Sequence, residues 1–302
     1  MSILDTLFGN TQNEKKRNLV RAIYVTVASI LLITVVLALA LVFPADKPDD
    51  TTPNDSHQSE TVHYAFSDTK SGSLLVVNKK SSAYDFTLNP ESNLKKMSDS
   101  LPSADGSSLY TLQKEGMLAN AEALSALNEM IKDFYDAADN KEAAKKLSIR
   151  TAYRSYEAQN ALSSVPAGHS DFHTGMLFEL TVGDTVTSIS TDSTFNWIYE
   201  NAHNYGFIER YPESKFSITG VSDFDNAFRF VGTPHSTYIK EKGISLEEYV
   251  DLIKNSDKPI SVSGYKVFYV KAETDKETDI TFSSRYYSVS GDNNGGFIVT
   301  IK

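Results

Sequence analysis

Hydrophobic residues form their longest uninterrupted run near the start of the chain. Residues 22 to 43 contain no charged side chain, and a helix of that length at about 1.5 Å per residue spans roughly 33 Å, enough to cross a bilayer core of about 30 Å. Four basic residues lie just before this run and three aspartates just after it. Because basic residues stay on the cytoplasmic side, we predict a single-pass protein of the cell membrane with a cytoplasmic tail at 1–21 and an extracytoplasmic domain.

A cleaved signal peptide is the alternative interpretation of the same run, because Ala38 and Ala40 fit a small-residue cleavage site. The apolar stretch is longer than the roughly 7 to 15 residues of a signal-peptide hydrophobic region. We therefore expect the segment 22–43 to remain as an uncleaved transmembrane helix.

Polar residues dominate the chain from this run up to residue 62. Residues 44–62 are rich in Pro, Asp, Thr and Ser and show no apolar period, which is typical of a flexible linker. His57 and His63 lie in or beside this segment, and we expect both to be solvated. The pattern predicts a spacer between the membrane and a folded domain that we place at 63–257.

In the domain at 63–257, apolar residues recur with the period of a helix in some segments and with the period of a strand in others. Its predicted elements, in chain order, are a strand at 73–78, a helix at 118–135, a strand at 147–152, a helix starting at Tyr156, a helix at 194–205 and a helix at 246–253. Ser245 precedes the last helix and Glu248 follows three residues later, which is the signature of a capping box. This mixture predicts an α+β fold.

Alternating apolar and polar residues return after residue 257. The segments 262–269, 286–290 and 297–301 have the period of strands, with turns at Gly291 and at the Gly295-Gly296 pair. We predict a small all-β appendage at 258–302.

Composition and charge narrow the classes of function. The sequence is 40% hydrophobic and carries a formal net charge of −10, so the main body is expected to fold. A general nucleic-acid-binding role is not expected, because phosphate contacts need clustered Lys and Arg. The chain has no cysteine, which excludes disulfides, thiolate zinc sites and a cysteine nucleophile. Any metal would have to be bound by His and carboxylates.

Four segments in a fixed order resemble one peptidase family. They are TAYRSYEAQ at 151–159, GHSDFHTGMLFEL at 168–180, WIYENAHNYGFIERYP at 197–212, and RFVG at 229–232 followed by GISLEEY at 243–249. Over about residues 72 to 255 the chain is similar to the VanY-type D-alanyl-D-alanine carboxypeptidases, zinc enzymes that trim the stem peptides of peptidoglycan. The resemblance implies a zinc D,D-carboxypeptidase-like core, with a small antiparallel sheet flanked by helices.

The resemblance also implies where the zinc chemistry would be. Hydrolysis needs three protein ligands with one open position on the metal, and a general base beside the attacking water. The family's ligand positions fall on Phe172, Glu179 and Ala227, and its base position falls on Phe224. A benzyl ring and a methyl group offer no lone pair, so we expect no bound zinc, no catalytic residue and a non-catalytic homologue.

A displaced metal site is the competing hypothesis. His173, Glu179 and Asp225 could form a shifted set of ligands, which would make the chain an active zinc D,D-carboxypeptidase with zinc as its cofactor. If the segment after Ser170 is extended, a shift of one residue sends a side chain to the opposite face. His173 would then point away from Glu179, which argues against this site.

The peptide-holding half of the family's site is retained. The resemblance implies that Arg154 holds a carboxylate or carbonyl oxygen of the substrate, a role suited to an always-charged guanidinium. Ser155, Gln159, Ser170 and Asp171 also match the family and complete the predicted substrate-binding set. The chain is thus expected to bind a peptidoglycan stem peptide or a cell-wall protein.

Two further interpretations stay open from sequence. The side chain of Arg154 could instead brace the fold through an ion pair. The β-rich tail from Lys258 could be the part that binds a partner protein or a wall polymer.

Overall fold

The computed structural model describes residues 59–162, 165–183, 189, 194–222, 224 and 226–302. The predicted cytoplasmic tail, the predicted membrane helix at 22–43, nearly all of the linker, His57 and Asp225 lie outside the described residues. Within the described ranges, no helix is both long enough and apolar enough to cross a membrane. The segment His57–Lys302 forms one compact unit.

Strands and helices are mixed along the described chain, and the last five strands follow one another without a helix between them. The strands are β1 (Glu60–Tyr64), β2 (Lys95–Lys96), β3 (Ser103–Ala104), β4 (Ser107–Ser108), β5 (Thr111–Leu112), β6 (Leu118–Ala119), β7 (Leu147–Thr151), β8 (Leu177–Val182), β9 (Phe207–Glu209), β10 (Ala227–Phe230), β11 (Ile260–Val262), β12 (Tyr265–Lys271), β13 (Thr278–Phe282), β14 (Tyr287–Gly291) and β15 (Gly296–Ile301). The α-helices are α1 (Ala121–Ala137), α2 (Lys141–Ala144), α3 (Tyr156–Asn160), α4 (Asn196–Asn201), α5 (Phe216–Thr219), α6 (His235–Lys242) and α7 (Leu246–Lys254). Single 3-10 turns occur at Phe66–Lys70, Glu91–Asn93, Met97–Ser100, Asp171–Thr174, Ala202–Tyr205 and Glu213–Lys215.

The central sheet has five strands in the order β5-β7-β8-β10-β9. Its pairs are antiparallel except β5 with β7, which is parallel. In the register of β8 and β10, Glu179 lies opposite Ala227. This sheet agrees with the predicted α+β core, and it places two of the family's metal-ligand positions side by side.

Helix α1 covers one side of the main core. Its buried face includes Leu124, Leu127, Ile131 and Phe134, which pack in one cluster with residues of β7 and β8. The helix begins three residues later than predicted, because Asn120 accepts hydrogen bonds from the first backbone N–H groups and so caps it. The predicted helix at 118–135 is therefore confirmed in type and shifted in its bounds.

Two other predicted elements differ from the structure, and one predicted helix cap agrees with it. The segment 73–78 is buried but is not a strand, because Leu74 N donates to Ser290 Oγ and Val76 N donates to the Asp292 carbonyl instead of joining a ladder. The helix predicted at 194–205 is a short α-helix followed by a 3-10 turn that ends at Gly206, with φ of +85°. The capping box at Ser245 is confirmed.

The C-terminal strands are part of the same compact unit. They form a four-stranded sheet in the order β11-β12-β15-β14, while β13 pairs with the N-terminal strand β1. Val262, Val267 and Ile298 from this sheet pack in one cluster with Leu74 and with residues of α7. The strands predicted as an appendage therefore complete the core of the domain. His63, in β1, is exposed and pairs with Asp279.

Candidate functional site

The positions that the family uses for metal and base lie together in an apolar cluster. Phe172 and Ala227 are buried in one cluster, against which Phe224 packs. The ring centroids of Phe172 and Phe224 are 5.6 Å apart in an edge-to-face arrangement, a favourable geometry for two aromatic rings. The residues at these three positions contact one another as hydrophobic side chains.

Among the four positions, only Glu179 carries a side chain that could coordinate a metal. Its carboxylate already accepts two hydrogen bonds. The residue is 4% exposed. Its Oε1 accepts a hydrogen bond from Arg150 Nη1 at 3.1 Å, and its Oε2 accepts one from Thr151 Oγ1 at 2.8 Å. An ion pair with a half-exposed arginine thus holds one oxygen, and a hydrogen bond from a threonine holds the other.

This donor set does not fit zinc. A catalytic zinc needs three protein ligands drawn from His, Cys and carboxylates, whereas a phenyl ring, a methyl group and one ion-paired carboxylate stand at the matching positions. In the part of the chain that the structure describes, no group of three His, Asp or Glu residues is arranged to hold a metal.

His173 cannot serve as the displaced ligand in this arrangement. Its Nδ1 lies 2.6 Å from the Arg154 carbonyl oxygen, to which it donates, and its Nε2 accepts from Gly168 N at 3.0 Å. Burial lowers the pKa of the ring, which packs against Tyr84 and Phe86. Both nitrogens of His173 are hydrogen-bonded to the backbone, and Asp225, the third residue of the predicted alternative metal site with Glu179, lies outside the described residues.

Arg154 lines a narrow pocket beside the apolar cluster. Its guanidinium carbon lies 4.5 Å from the centroid of the Phe172 ring, and its Nη1 donates to Gln159 Oε1 at 2.7 Å. Burial lowers the pKa of Arg154. Gln159 is itself buried and donates to the Val165 carbonyl. Stacking and hydrogen bonding therefore fix the guanidinium in one orientation.

The pocket beside Arg154 is almost filled. Its cavity volume is about 10 Å³, close to the minimum that one water molecule requires. The described residues around it are Val77, Lys79, Arg154, Gln159, Val165, His169, Ser170, Phe172, Tyr211, Val221 and Phe224. Among these described residues two are cations and none is a carboxylate, so the lining favours an anionic group.

The predicted substrate-binding residues separate into two groups. Arg154, Gln159 and Ser170 line the pocket. Ser155 instead caps α3, where its hydroxyl accepts a hydrogen bond from Ala158 N. Asp171 is fully buried and does not face the pocket; its carboxylate lies between two arginines.

Asp171 belongs to a buried network of charges. Its Oδ2 accepts from Arg210 Nε at 2.5 Å, and its Oδ1 accepts from Arg229 Nε at 3.0 Å; the three side chains have no exposed surface. Arg210 also makes two hydrogen bonds to Glu247, at 3.0 and 2.7 Å. Two cations thus face two anions, which satisfies the rule that buried charges are paired.

The network shifts the pKa of Glu247. Burial alone raises the pKa of this carboxyl, but the ion pair with Arg210 outweighs burial and holds the pKa at about 2. From the sequence, Arg210 and Arg229 stand out only as parts of the quoted motifs. For Arg229 the signal was a charged residue inside the otherwise apolar strand β10, because such a residue needs a buried partner. Arg210 directly follows β9 and carries no such signal.

The comparisons with known proteins point to one peptidase family. The family model "VanY: D-alanyl-D-alanine carboxypeptidase" matches residues 118–233. A D-alanyl-D-alanine carboxypeptidase of Enterococcus faecium is 34% identical over 203 residues, which cover 64% of this chain and 64% of that protein. One from Enterococcus faecalis is 26% identical over 198 residues, 62% of this chain and 69% of that protein. The chain thus spans somewhat less than two thirds of the Enterococcus faecium relative.

One solved structure has a similar fold over most of the chain. It is the vancomycin-resistance D,D-dipeptidase VanXYg, whose crystal structure contains a D-Ala-D-Ala phosphinate analogue. The TM-score is 0.65 at 24% sequence identity, and the alignment covers 81% of this chain and 99% of that one. The likeness establishes a shared fold.

Proposed function

The chain belongs to the VanY-type D-alanyl-D-alanine carboxypeptidase family, and from this premise we propose that it is a non-catalytic member that binds peptide ends at the cell wall. It would be held at the membrane by the helix at 22–43, with the domain outside the cytoplasm. Its ligand would be the carboxylate end of a peptidoglycan stem peptide, or of a wall protein, which it binds without hydrolysis.

One observation carries the proposal that catalysis is lost. Phe172, Phe224 and Ala227 pack as a single apolar cluster at the metal and base positions. Without a metal-bound water or a base, the protein lacks the groups that would activate a nucleophile. Filling the site with aromatic rings also stabilises the fold, since each buried ring contributes roughly 1.5 to 3 kcal/mol.

The lining of the narrow pocket supports a role in binding carboxylates. Arg154 is oriented by Phe172 and Gln159, and an oriented guanidinium binds a carboxylate at a lower entropic cost than a free one. A volume near the minimum for one water molecule cannot enclose a carboxylate, so a ligand has to stay outside the pocket. We therefore propose that the ligand lies across the mouth and directs its terminal carboxylate towards Arg154 and Lys79.

The loss of catalysis is tested by metal content and turnover. The purified full chain is expected to contain far less than one zinc per molecule after incubation with zinc, and to release no D-alanine from a pentapeptide ending in D-Ala-D-Ala. Stoichiometric zinc together with D-alanine release would support the active-enzyme alternative and overturn the proposal.

Binding is tested separately by calorimetry with the same uncleaved pentapeptide. We expect saturable binding that Arg154→Met weakens about tenfold or more, since a charge-assisted hydrogen bond contributes about 1.5 to 3 kcal/mol. Arg285, which is exposed, provides a matched control as Arg285→Met and should leave the affinity unchanged. Equal affinities for the two variants would show that Arg154 only braces the fold.

A further inference from the structure

The turn between β14 and β15 contains an asparagine followed by a glycine. Asn294-Gly295 is the one Asn-Gly pair in the sequence. Asn294 is exposed, and Gly295 has a φ of +97°, a backbone conformation that glycine adopts without strain. Asparagine is a thermolabile residue, because its side-chain amide can react with the backbone nitrogen of the next residue. A glycine in that place has no Cβ to hinder the approach.

Neither reacting group in this turn is tightly held. Asn294 Nδ2 donates to the Asp292 carbonyl at 3.4 Å, and Asn294 Oδ1 accepts from Ser82 N, also at 3.4 Å. Both distances exceed the range of about 2.7 to 3.2 Å that is typical of such bonds. Among the hydrogen bonds that the structure describes, none uses the Gly295 N–H. The Asn294 side chain can therefore rotate towards the Gly295 nitrogen without breaking a strong interaction.

Two other asparagines lack this combination. Asn293, in the same turn, is buried, and its Nδ2 donates to the Ser82 carbonyl at 2.7 Å and to the Val76 carbonyl at 3.2 Å. Asn255 is exposed, but its Nδ2 donates to the Asp251 carbonyl at 2.7 Å. Each is followed by a residue that has a side chain, so each serves as an internal comparison for Asn294.

We propose that Asn294 is a site of spontaneous deamidation. The Gly295 nitrogen attacks Cγ of Asn294 and forms a C–N bond, while the bond from Cγ to Nδ2 breaks and ammonia leaves with the proton of the Gly295 N–H. Water then opens the resulting succinimide ring at either of its two bonds between nitrogen and a carbonyl carbon, which gives aspartate or isoaspartate. The reaction consumes one water, releases one ammonia and needs no oxidant or reductant. It does not depend on the proposed function.

Either product disturbs a turn that anchors the segment 76–82. Asp292 is fully buried, and its Oδ1 accepts from Asn294 N at 2.7 Å and from Gly296 N at 3.0 Å. The Asp292 carbonyl in turn accepts from Val76 N. Aspartate at position 294 adds a second negative charge beside the Asp292 carboxylate, and isoaspartate lengthens the main chain by one carbon between the two N–H donors. Deamidation therefore loosens the attachment of segment 76–82 to this turn.

The reaction is tested by ageing the purified full chain at mildly alkaline pH and mapping it after trypsin digestion. Asn294 lies in the tryptic peptide that follows Arg285, and tandem mass spectrometry assigns the mass increase of an amide-to-acid conversion to a single residue. Deamidation at Asn294 should be faster than at Asn255 by about tenfold or more, because only Asn294 precedes a residue without a Cβ. Equal rates at the two residues, or reaction chiefly at Asn293, overturn the proposal.

The effect on the anchored segment is tested with Asn294→Gln. Glutamine keeps the amide but would have to close a larger ring, so this variant should not deamidate at position 294. Lys79 and Lys80 are exposed, and brief trypsin treatment therefore reports on the opening of segment 76–82. Cleavage there should become several times faster when the natural chain is aged, and should stay unchanged in the aged Asn294→Gln variant. If chains deamidated at position 294 are cut no faster than fresh ones, the anchoring role of the turn is refuted.

Discussion

Replacing Asp171 by asparagine should strongly destabilise the domain. The carboxylate accepts from both Arg210 and Arg229, and none of the three side chains has exposed surface. Asparagine has nearly the same shape but no charge, so Asp171→Asn leaves two buried guanidiniums and one remaining carboxylate, Glu247. Glu247 is paired with Arg210. The loss falls chiefly on Arg229, whose one ion pair is with Asp171 among the residues described.

The expected magnitude follows from the burial of the network. Removing one partner of a buried ion pair costs about 3 to 5 kcal/mol, because the other charge remains in a medium of low dielectric constant. For a domain of this size, about 1 kcal/mol lowers the melting temperature by roughly 2 to 4 °C. We therefore expect the melting temperature to fall by roughly 6 to 20 °C. The free energy of unfolding measured with urea should fall by about 3 to 5 kcal/mol.

The control for Asp171→Asn is the same substitution at an exposed aspartate of the same domain. Asp251 is an exposed aspartate on α7, and Asp251→Asn should change the free energy of unfolding by no more than about 0.5 kcal/mol. If Asp171→Asn unfolds like Asp251→Asn, the reasoning about the buried network is refuted. That result would instead favour the prediction from the sequence that Asp171 contacts the ligand.

Four further outcomes are expected. Installing Phe172→His and Ala227→His together should allow stoichiometric zinc binding, measured by elemental analysis, whereas either substitution alone should not, since fewer than three ligands remain. Because the pKa of Glu247 is about 2 in the folded protein, its ion pair stabilises the fold above about pH 4.5, and about 3 kcal/mol should be lost as the pH falls towards 2; Glu247→Gln should remove this dependence in acid-unfolding curves. Burial lowers the pKa of His235 to about 4, so its ring should stay neutral down to about that pH in an NMR titration, and its contribution to stability should fade between about pH 6.5 and 4; a midpoint near 6.5 would contradict its burial. Deleting residues 258–302 should unfold the domain, as judged by circular dichroism, because β11, β12 and β15 contribute to a shared core; a truncated domain that folds and only loses wall binding would contradict this.

Several features could be predicted from short stretches of sequence alone. The capping box at Ser245, the helix ending at Gly206 and the long helix that became α1 depend on residues within one or two turns of each other, so local propensity decides them. The apolar residues at the family's metal and base positions could also be read directly, since the absence of a lone pair is a property of the residue type.

The unpredicted features depend on residues far apart in the chain. Strand β1 pairs with β13 across more than 200 residues, with Val62 opposite Ile280, and no local pattern specifies such a partner. Likewise, the direction in which His173 points is set by the backbone groups of Arg154 and Gly168 that bind its ring.

The sequence by itself determined the residue types at the family's metal and base positions and the order of most of the elements. The tertiary structure decided which polar groups are buried with partners: it placed Asp171 between two arginines and left Arg154 at a nearly filled pocket. The physical reason is that periodicity and caps act between neighbours along the chain, whereas the burial and pairing of charges depend on which segments the fold brings together.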